Sequence, residues 1–292
     1  MATVLVTGAG GQLGRAVLAA AEARGWRAAS CDRSVLPVED ADLVRERIAQ
    51  VRPDVVVHCA AWTDVDGCES DPDRADRTNG HGTAHVAEAC RSVDARLVAV
   101  STDYVFDGFG LLDAKGAPRA YCTDDPAGPR SAYGRSKLLG EEAVLRTPLA
   151  AGFYVVRTSW VFGPGGRNFP AAILGRARSG QPLRVVDDQR GCPTFTLDLA
   201  EALLDLGVSD AVSGIYHAAN EGVVSWHGFA VELLRQAGMD VEVGTMTTAE
   251  LGRPAPRPAW SALDCSRLTA VRGRPLPGWQ DAVARYLAQE SP

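Results

Sequence analysis

The sequence predicts an α/β fold: a doubly wound parallel sheet with helices on both faces, followed by a smaller α/β lobe. Three observations predict it. Short, nearly continuous apolar runs alternate with helical patterns through the first half of the chain, as expected of parallel strands covered on both faces. A glycine-rich turn joins the first of these runs to an alanine-rich helical pattern. After Gly163-Pro164-Gly165-Gly166 the units become shorter.

In chain order, the apolar runs predict strands over 3–7, 26–31, 54–58, 96–101 and 153–159, and the intervening patterns predict helices over 12–24, 41–50, 72–92 and 131–145. Strands and helices that alternate in this way wind a sheet doubly. Beyond the break, a helix is expected over 169–178, a strand over 183–186, a helix over 197–206, a strand over 215–218, a helix over 226–236 and a strand over 241–246. A proline-rich loop, Arg253-Pro254-Ala255-Pro256-Arg257-Pro258, precedes a last helix over 279–287. Residues 1–163 then form a dinucleotide-binding domain of the Rossmann type. Residues 164–292 form a smaller substrate domain, some segments of which return to the first. A ligand is expected in the crevice outside the carboxyl ends of the parallel strands.

With 46% hydrophobic and 23% charged residues the chain has the composition of a soluble globular protein. A net charge of -6 without any basic run argues against nucleic acid as a partner. No apolar stretch reaches the roughly 18 residues of a membrane span, and no signal peptide precedes Val4. The seven cysteines lie apart and form no C-x-x-C pair, so reduced thiols and a cytoplasmic location are expected, with no metal site.

The turn reads Thr7-Gly8-Ala9-Gly10-Gly11-Gln12-Leu13-Gly14. Glycines in such a turn let the backbone approach a pyrophosphate, whose charge the helix N-terminus favours. Asp32 ends the second strand and is placed to accept from adenosine-ribose hydroxyls, which fits NADH; Arg33 or Arg15 is placed to pair with a 2'-phosphate, which fits NADPH. Both cofactors stay open. Cys59-Ala60-Ala61-Trp62 ends the third strand, where small residues let a cofactor lie close and Trp62 belongs either to the core or to the site. Asn79, inside a helical pattern, is placed to bridge backbone groups and position a proton-relay water.

Tyr133 and Lys137 stand four apart on a helix and share one face. An ammonium beside a phenol is expected to lower the phenol's pKa toward neutrality, and such a tyrosine can give a proton to a ketone oxygen as hydride reaches the carbon. Ser101-Thr102-Asp103-Tyr104-Val105-Phe106-Asp107-Gly108 leaves the fourth strand. There the Thr102 hydroxyl can share that oxygen and Asp103 can accept from a substrate hydroxyl.

Together these stretches resemble the dTDP-4-dehydrorhamnose reductase family of extended short-chain dehydrogenase/reductases over nearly the whole chain. The family's T-G-x-x-G-Q-L-G, V-D-x-x-E and S-T-D-Y-V-F-D-G are similar to residues 7–14, 65–69 and 101–108. Its Y-G-x-S-K-L-x-G-E, R-T-S-W-V-F, D-Q-x-G-x-P-T, S-W-x-x-F-A and R-P-x-x-S-x-L are similar to residues 133–141, 157–162, 188–194, 225–230 and 257–263. The resemblance implies reduction of a dTDP-4-keto-6-deoxyhexose by NADPH or NADH, with Tyr133 as proton donor and Lys137 its partner, also bonding the nicotinamide ribose. It implies a cofactor site including Gly8, Gly11, Gln12, Leu13, Gly14 and Val38. It implies sugar contacts from Thr102, Asp103, Tyr104 and Trp160, and a nucleotide side at Asn168, Gln189 and Arg257. A homodimer with magnesium at its contact is also implied, although no motif here places the metal's ligands.

The chain departs from the family pattern at Leu36-Pro37-Val38-Glu39-Asp40, at Thr78, and between Gly108 and Tyr121, where it is longer. The longer loop opens the choice of sugar to other dTDP-4-keto-deoxysugars of antibiotic pathways. A 4,6-dehydratase would carry glutamate where Tyr104 stands. A non-catalytic NAD(P)-binding regulatory subunit is the alternative of a different class, and it would not need Thr102, Tyr133 and Lys137.

Overall fold

Six parallel strands form the centre of the computed structural model, which describes residues 1–289. They are β1 (Thr3–Thr7), β2 (Arg27–Cys31), β3 (Val55–His58), β4 (Arg96–Thr102), β5 (Phe153–Thr158) and β6 (Gly214–His217), in the order β6-β5-β4-β3-β1-β2. The order reverses between β1 and β3, so the chain leaves those two strands in opposite directions and opens a crevice at their carboxyl ends. β1 and β3 are buried along almost their whole length, as their Val-Leu-Val and Val-Val-Val runs require. β2, at the edge, is largely open to solvent.

One face of the sheet is covered by the helix Gln12–Ala23 and the helix Thr196–Gly207, where Val17, Leu199, Leu203 and Leu206 pack on Val4, Val57 and Val98. The other face carries Val44 and Ile48 of the helix Ala41–Val51 and Val86 and Cys90 of the helix Gly82–Val93. The helix Thr196–Gly207 and β6 thus belong to the large lobe, although they follow residue 163.

The pattern over 72–92 predicts one helix, and the structure breaks it. Pro72–Ala75 is a short helical turn, Asp76–His81 is π-helical, and Gly82–Val93 is regular. The widened turn lets Asn79 face the crevice, and π-turns concentrate at such sites. The longer stretch after Gly108 forms a small antiparallel hairpin, Leu111–Leu112 with Pro118–Arg119, which periodicity did not reveal.

A second core holds the smaller lobe, with Phe162, Phe195, Phe229 and Tyr286 at its centre. Short strand pairs frame it: Leu183–Val186 runs parallel to Val243–Met246, and Thr194–Phe195 runs parallel to Val161–Phe162. A third cluster of Val105, Phe106, Tyr121, Cys192 and Leu263 joins the two lobes behind the crevice.

Candidate active site

The glycine turn is built to exclude side chains. Gly8 has φ +64°, and a Cβ there would lie 2.6 Å from the Ala60 nitrogen at the end of β3. A Cβ on Gly14 would strike the Gly8 carbonyl. Gly11 caps the helix Gln12–Ala23 with no side-chain hydrogen bond, so the first helical amides keep their donors for an anion. The cradle therefore fits the pyrophosphate of a dinucleotide. Leu13 packs into the core. Gln12 turns to the small lobe: its Nε2 donates to the Arg167 carbonyl at 3.1 Å, and its Oε1 accepts from Asn168 Nδ2 at 3.0 Å. Arg15 donates to the carbonyls of Gly10 and Gly165. It ties the turn to the small lobe. Val38 is buried against the core and holds His85 Nδ1 at 3.0 Å from its carbonyl.

Opposite the turn, Ala60 donates its amide to Thr7 Oγ1 at 3.3 Å. Asn79, fully buried, fixes the next residue: its Oδ1 accepts from Trp62 N at 2.7 Å and its Nδ2 donates to Trp62 O at 3.1 Å. The same Nδ2 donates to Ser136 Oγ at 2.9 Å. Asn79 thus couples the end of β3 to the helix Ala132–Arg146, which carries Tyr133 and Lys137. The Trp62 ring is half-buried, with the Arg74 guanidinium 4.1 Å above it.

Ser131 caps the Tyr133 helix by accepting from Gly134 N at 3.1 Å, and Glu69 accepts from Ala132 N at 2.6 Å. The Tyr133 phenol is buried beside the Thr102 hydroxyl, which favours the ionised phenol less than burial opposes it. Thr102 Oγ1 in turn donates to Asp103 Oδ1 at 2.9 Å and accepts from Tyr104 N at 3.2 Å. Burial pushes the Tyr133 phenol above its ordinary range. This reverses the expected direction, because Lys137 does not act on the phenol: its Nζ donates to the Val100 carbonyl at 2.8 Å. Burial pushes the Lys137 ammonium down to about 8, opposed by the nearby charge of Glu141. His58, below it, is pushed down to about 3 by burial and by the Lys137 charge, and bridges Thr7 and Thr83 as a neutral ring.

Asp103 is 3% exposed, and its carboxyl is pushed up to about 6 by burial, opposed by hydrogen bonds from Ser261 and Thr102. Its second oxygen accepts from Ser261 Oγ, so Asp103 binds β4's end to the C-terminal segment. Tyr104 sets its ring edge against Tyr133 at 5.5 Å. Trp160, at the end of β5, has φ +47° and stacks on Trp226 at 3.6 Å. This left-handed backbone aims the indole along the inter-lobe wall, and Gly191 leaves room for it.

The nucleotide-side residues are more committed than the motifs foretell. Asn168 caps the helix Phe169–Arg178 by accepting from Ala171 N at 2.9 Å while it holds Gln12. Gln189 is 5% exposed, accepts from Trp226 Nε1 at 3.1 Å and donates to Thr248 Oγ1 at 2.9 Å. Arg257 pairs with Asp66 at 3.0 Å, and the same carboxylate accepts from Ala255 N at 3.1 Å and Arg253 Nη1 at 3.4 Å. Asp66 therefore straps the proline-rich loop across the crevice.

Several supporting residues escaped the sequence reading. Glu141 forms a buried fork with Arg157, Nη2 to Oε2 at 2.7 Å, and accepts from Ser101 Oγ, bolting β4, β5 and the Tyr133 helix together. Glu141, Asp66 and Glu69 sit within recognised motifs, and Ser131 directly precedes one; none announces a partner by spacing. Among the described residues no group of three or more His, Cys, Asp or Glu could hold a metal ion.

The chain is similar to known proteins over nearly its whole length. A family model described as RmlD substrate binding domain matches residues 1–291. The dTDP-4-dehydrorhamnose reductase of Streptomyces griseus is 44% identical over 284 residues, covering 96% of this chain and 91% of the relative. That of Mycobacterium tuberculosis is 45% identical over 290 residues, covering 98% and 92%. A crystal structure of the Bacillus anthracis dTDP-4-dehydrorhamnose reductase in complex with NADP superposes with a TM-score of 0.91 at 32% identity, covering 99% of each chain. The glycine cradle, the Thr102–Tyr133–Lys137 cluster and these full-length matches lead to one conclusion: the chain belongs to the RmlD substrate binding domain family, alongside the dTDP-4-dehydrorhamnose reductases.

Proposed function

We propose that this protein reduces the C4 ketone of a dTDP-4-keto-6-deoxyhexose, converting dTDP-4-dehydro-L-rhamnose to dTDP-L-rhamnose. The observation that carries the proposal is the burial of Thr102, at the carboxyl end of β4, with Tyr133 and, one helical turn further on, Lys137. The residues of the glycine turn, with Asp32, Ala60, Ala61 and Trp62, would hold a nicotinamide dinucleotide, which when bound supplies the hydride.

The chain's own residues manage the proton. Burial keeps the Tyr133 phenol protonated, as a donor must be before reduction. As the ketone carbon gains hydride and its C=O bond becomes a C–O bond, Tyr133 gives its proton to that oxygen. The Thr102 hydroxyl, whose single proton is held by Asp103 Oδ1, turns that proton to the same oxygen as the ketone is reduced. The phenolate left behind regains its proton from solvent, and Lys137, whose Nζ donates to the Val100 carbonyl, would hold the nicotinamide ribose. Tyr104 and Trp160 wall the sugar side. Arg257 is the cation on the diphosphate side, and Asn168 and Gln189 support that wall through the segments they hold. No helix among the described residues is long and apolar enough to cross a membrane. A cytoplasmic location, where reduced dinucleotides are available, and a homodimer belong to the same proposal.

The test is a coupled assay read by NMR. The purified chain, NADPH or NADH, and dTDP-4-keto-6-deoxyglucose are combined with and without a 3,5-epimerase. Formation of dTDP-L-rhamnose only with the epimerase is the expected outcome. Rapid turnover without it would assign a different deoxysugar, and no dinucleotide oxidation in either case would refute the reductase reading.

A further inference from the structure

The adenosine corner of the crevice holds charges that the proton chemistry does not use. Asp32 turns one oxygen into its own loop, where Oδ1 accepts from Ser34 N at 2.9 Å, Ser34 Oγ at 2.6 Å and Val35 N at 3.2 Å. It lies beside the glycine turn, since a Cβ on Gly10 would be 3.5 Å from Asp32 Cβ. Arg33 follows with its side chain 71% exposed, and its Nη2 is 3.7 Å from Glu39 Oε1. That oxygen also accepts from Thr78 Oγ1 at 2.6 Å. Thr78 is buried in the π-turn, so Glu39 is anchored from the wall of the large lobe. Burial pushes the Glu39 carboxyl up, but the Thr78 hydrogen bond and the charges of Arg33 and Arg74 outweigh it and hold the carboxylate ionised.

Two other cations near the corner make contacts of their own. Arg15 is bonded to the Gly10 and Gly165 carbonyls, and Arg74 lies over the Trp62 ring. The corner thus presents Asp32 and, next in sequence, the exposed Arg33 guanidinium paired with Glu39. A 2'-phosphate brings about -1.5 to -2 charges and needs a guanidinium free to fork onto it. A second carboxylate paired with that guanidinium opposes both requirements, whereas a plain ribose is indifferent to it.

We infer that Glu39, anchored by Thr78, is a determinant of dinucleotide choice: it pairs with Arg33, adds a carboxylate beside that guanidinium, and disfavours a 2'-phosphate. This rests on the reading that the glycine turn holds a nicotinamide dinucleotide, and it goes beyond that reading by assigning the discrimination to residues outside the turn.

The experiment is a fluorescence titration of the full chain with NADH and with NADPH, without sugar substrate. Glu39→Gln is expected to lower the ratio Kd(NADPH)/Kd(NADH) by roughly ten-fold, the scale of one charged contact. Thr78→Val, which frees the anchor, is expected to lower it by about three-fold. Adding Arg33→Ala to Glu39→Gln is expected to cancel the gain, because the two positions act through one contact. A ratio that stays put or rises in Glu39→Gln while both dinucleotides still bind overturns the inference alone. Failure of the unaltered chain to bind either dinucleotide overturns the inference together with the reading beneath it.

Discussion

The two walls of the crevice are made by different means. The dinucleotide wall is local and made of backbone: a turn of eight residues whose glycines meet Ala60 and one another. The substrate wall is made of side chains that meet across long stretches of chain, such as Asp66 with Arg257, Asp103 with Ser261 and Gln189 with Trp226. Backbone in a turn is specified by neighbours in sequence, whereas a strap such as 253–258 exists only once the large lobe has folded beneath it. The first wall should respond to changes of shape, and the second to changes of charge.

The largest effect on this contrast is expected from Gly14→Ala. The added methyl meets the Gly8 carbonyl and Ala9 Cα with no flexible atom to yield, so stability should fall by about 1–3 kcal/mol, as for other overpacked positions. Urea unfolding checks this, and dinucleotide affinity should fall with it. An unchanged midpoint and unchanged affinity would show that the turn is looser than its geometry implies.

Asp66→Ala tests the other wall. Releasing Arg253, Ala255 and Arg257 from one carboxylate should raise KM for the sugar nucleotide by roughly five-fold, about 1 kcal/mol, by loosening the strap. Dinucleotide Kd, set on the opposite wall, should move less than about two-fold by the additivity of distant sites. If both constants rise together, the walls are not independent.

A smaller effect separates Lys137 from Tyr133. Burial lowers the Lys137 pKa to about 8, so its charge is present below that pH and is lost as pH rises through it. Tyr133 is shifted the other way and stays protonated throughout that range. The pH profile of kcat should therefore fall on its alkaline side with a midpoint near 8. A flat profile to pH about 9.5 would remove the charged Lys137 from the mechanism.

The same contrast explains what could be read before the structure. The sheet, the glycine turn and the Tyr133–Lys137 pair were legible because each depends on periodicity or short spacing. The π-turn was not, since one extra residue in a helical repeat leaves the apolar pattern nearly intact, and Asn79 gains its reach from it. The direction of the Tyr133 shift was misjudged because spacing places Lys137 on the right face but does not reveal that its ammonium is bound to the Val100 carbonyl. Glu39 and Thr78 stood out separately as departures from the family pattern, and only the fold brings them to 2.6 Å. Motif residues such as Asp66, Glu69 and Glu141 were visible as letters, while their partners lie up to 191 positions away, as Arg257 does from Asp66 (257 minus 66).

The central claim is that Tyr133, kept protonated by burial beside Thr102, delivers the proton that accompanies reduction. Single-turnover mixing of Tyr133→Phe, preloaded with NADH or NADPH, whichever the unaltered chain binds more tightly, against the keto-sugar nucleotide tests it most directly. Phenylalanine keeps the ring against Tyr104 and removes only the hydroxyl. Dinucleotide binding should persist while the reduction rate falls by about 10²–10⁴-fold, the usual contribution of a positioned proton donor. Reduction at the unaltered rate in that variant would contradict the account.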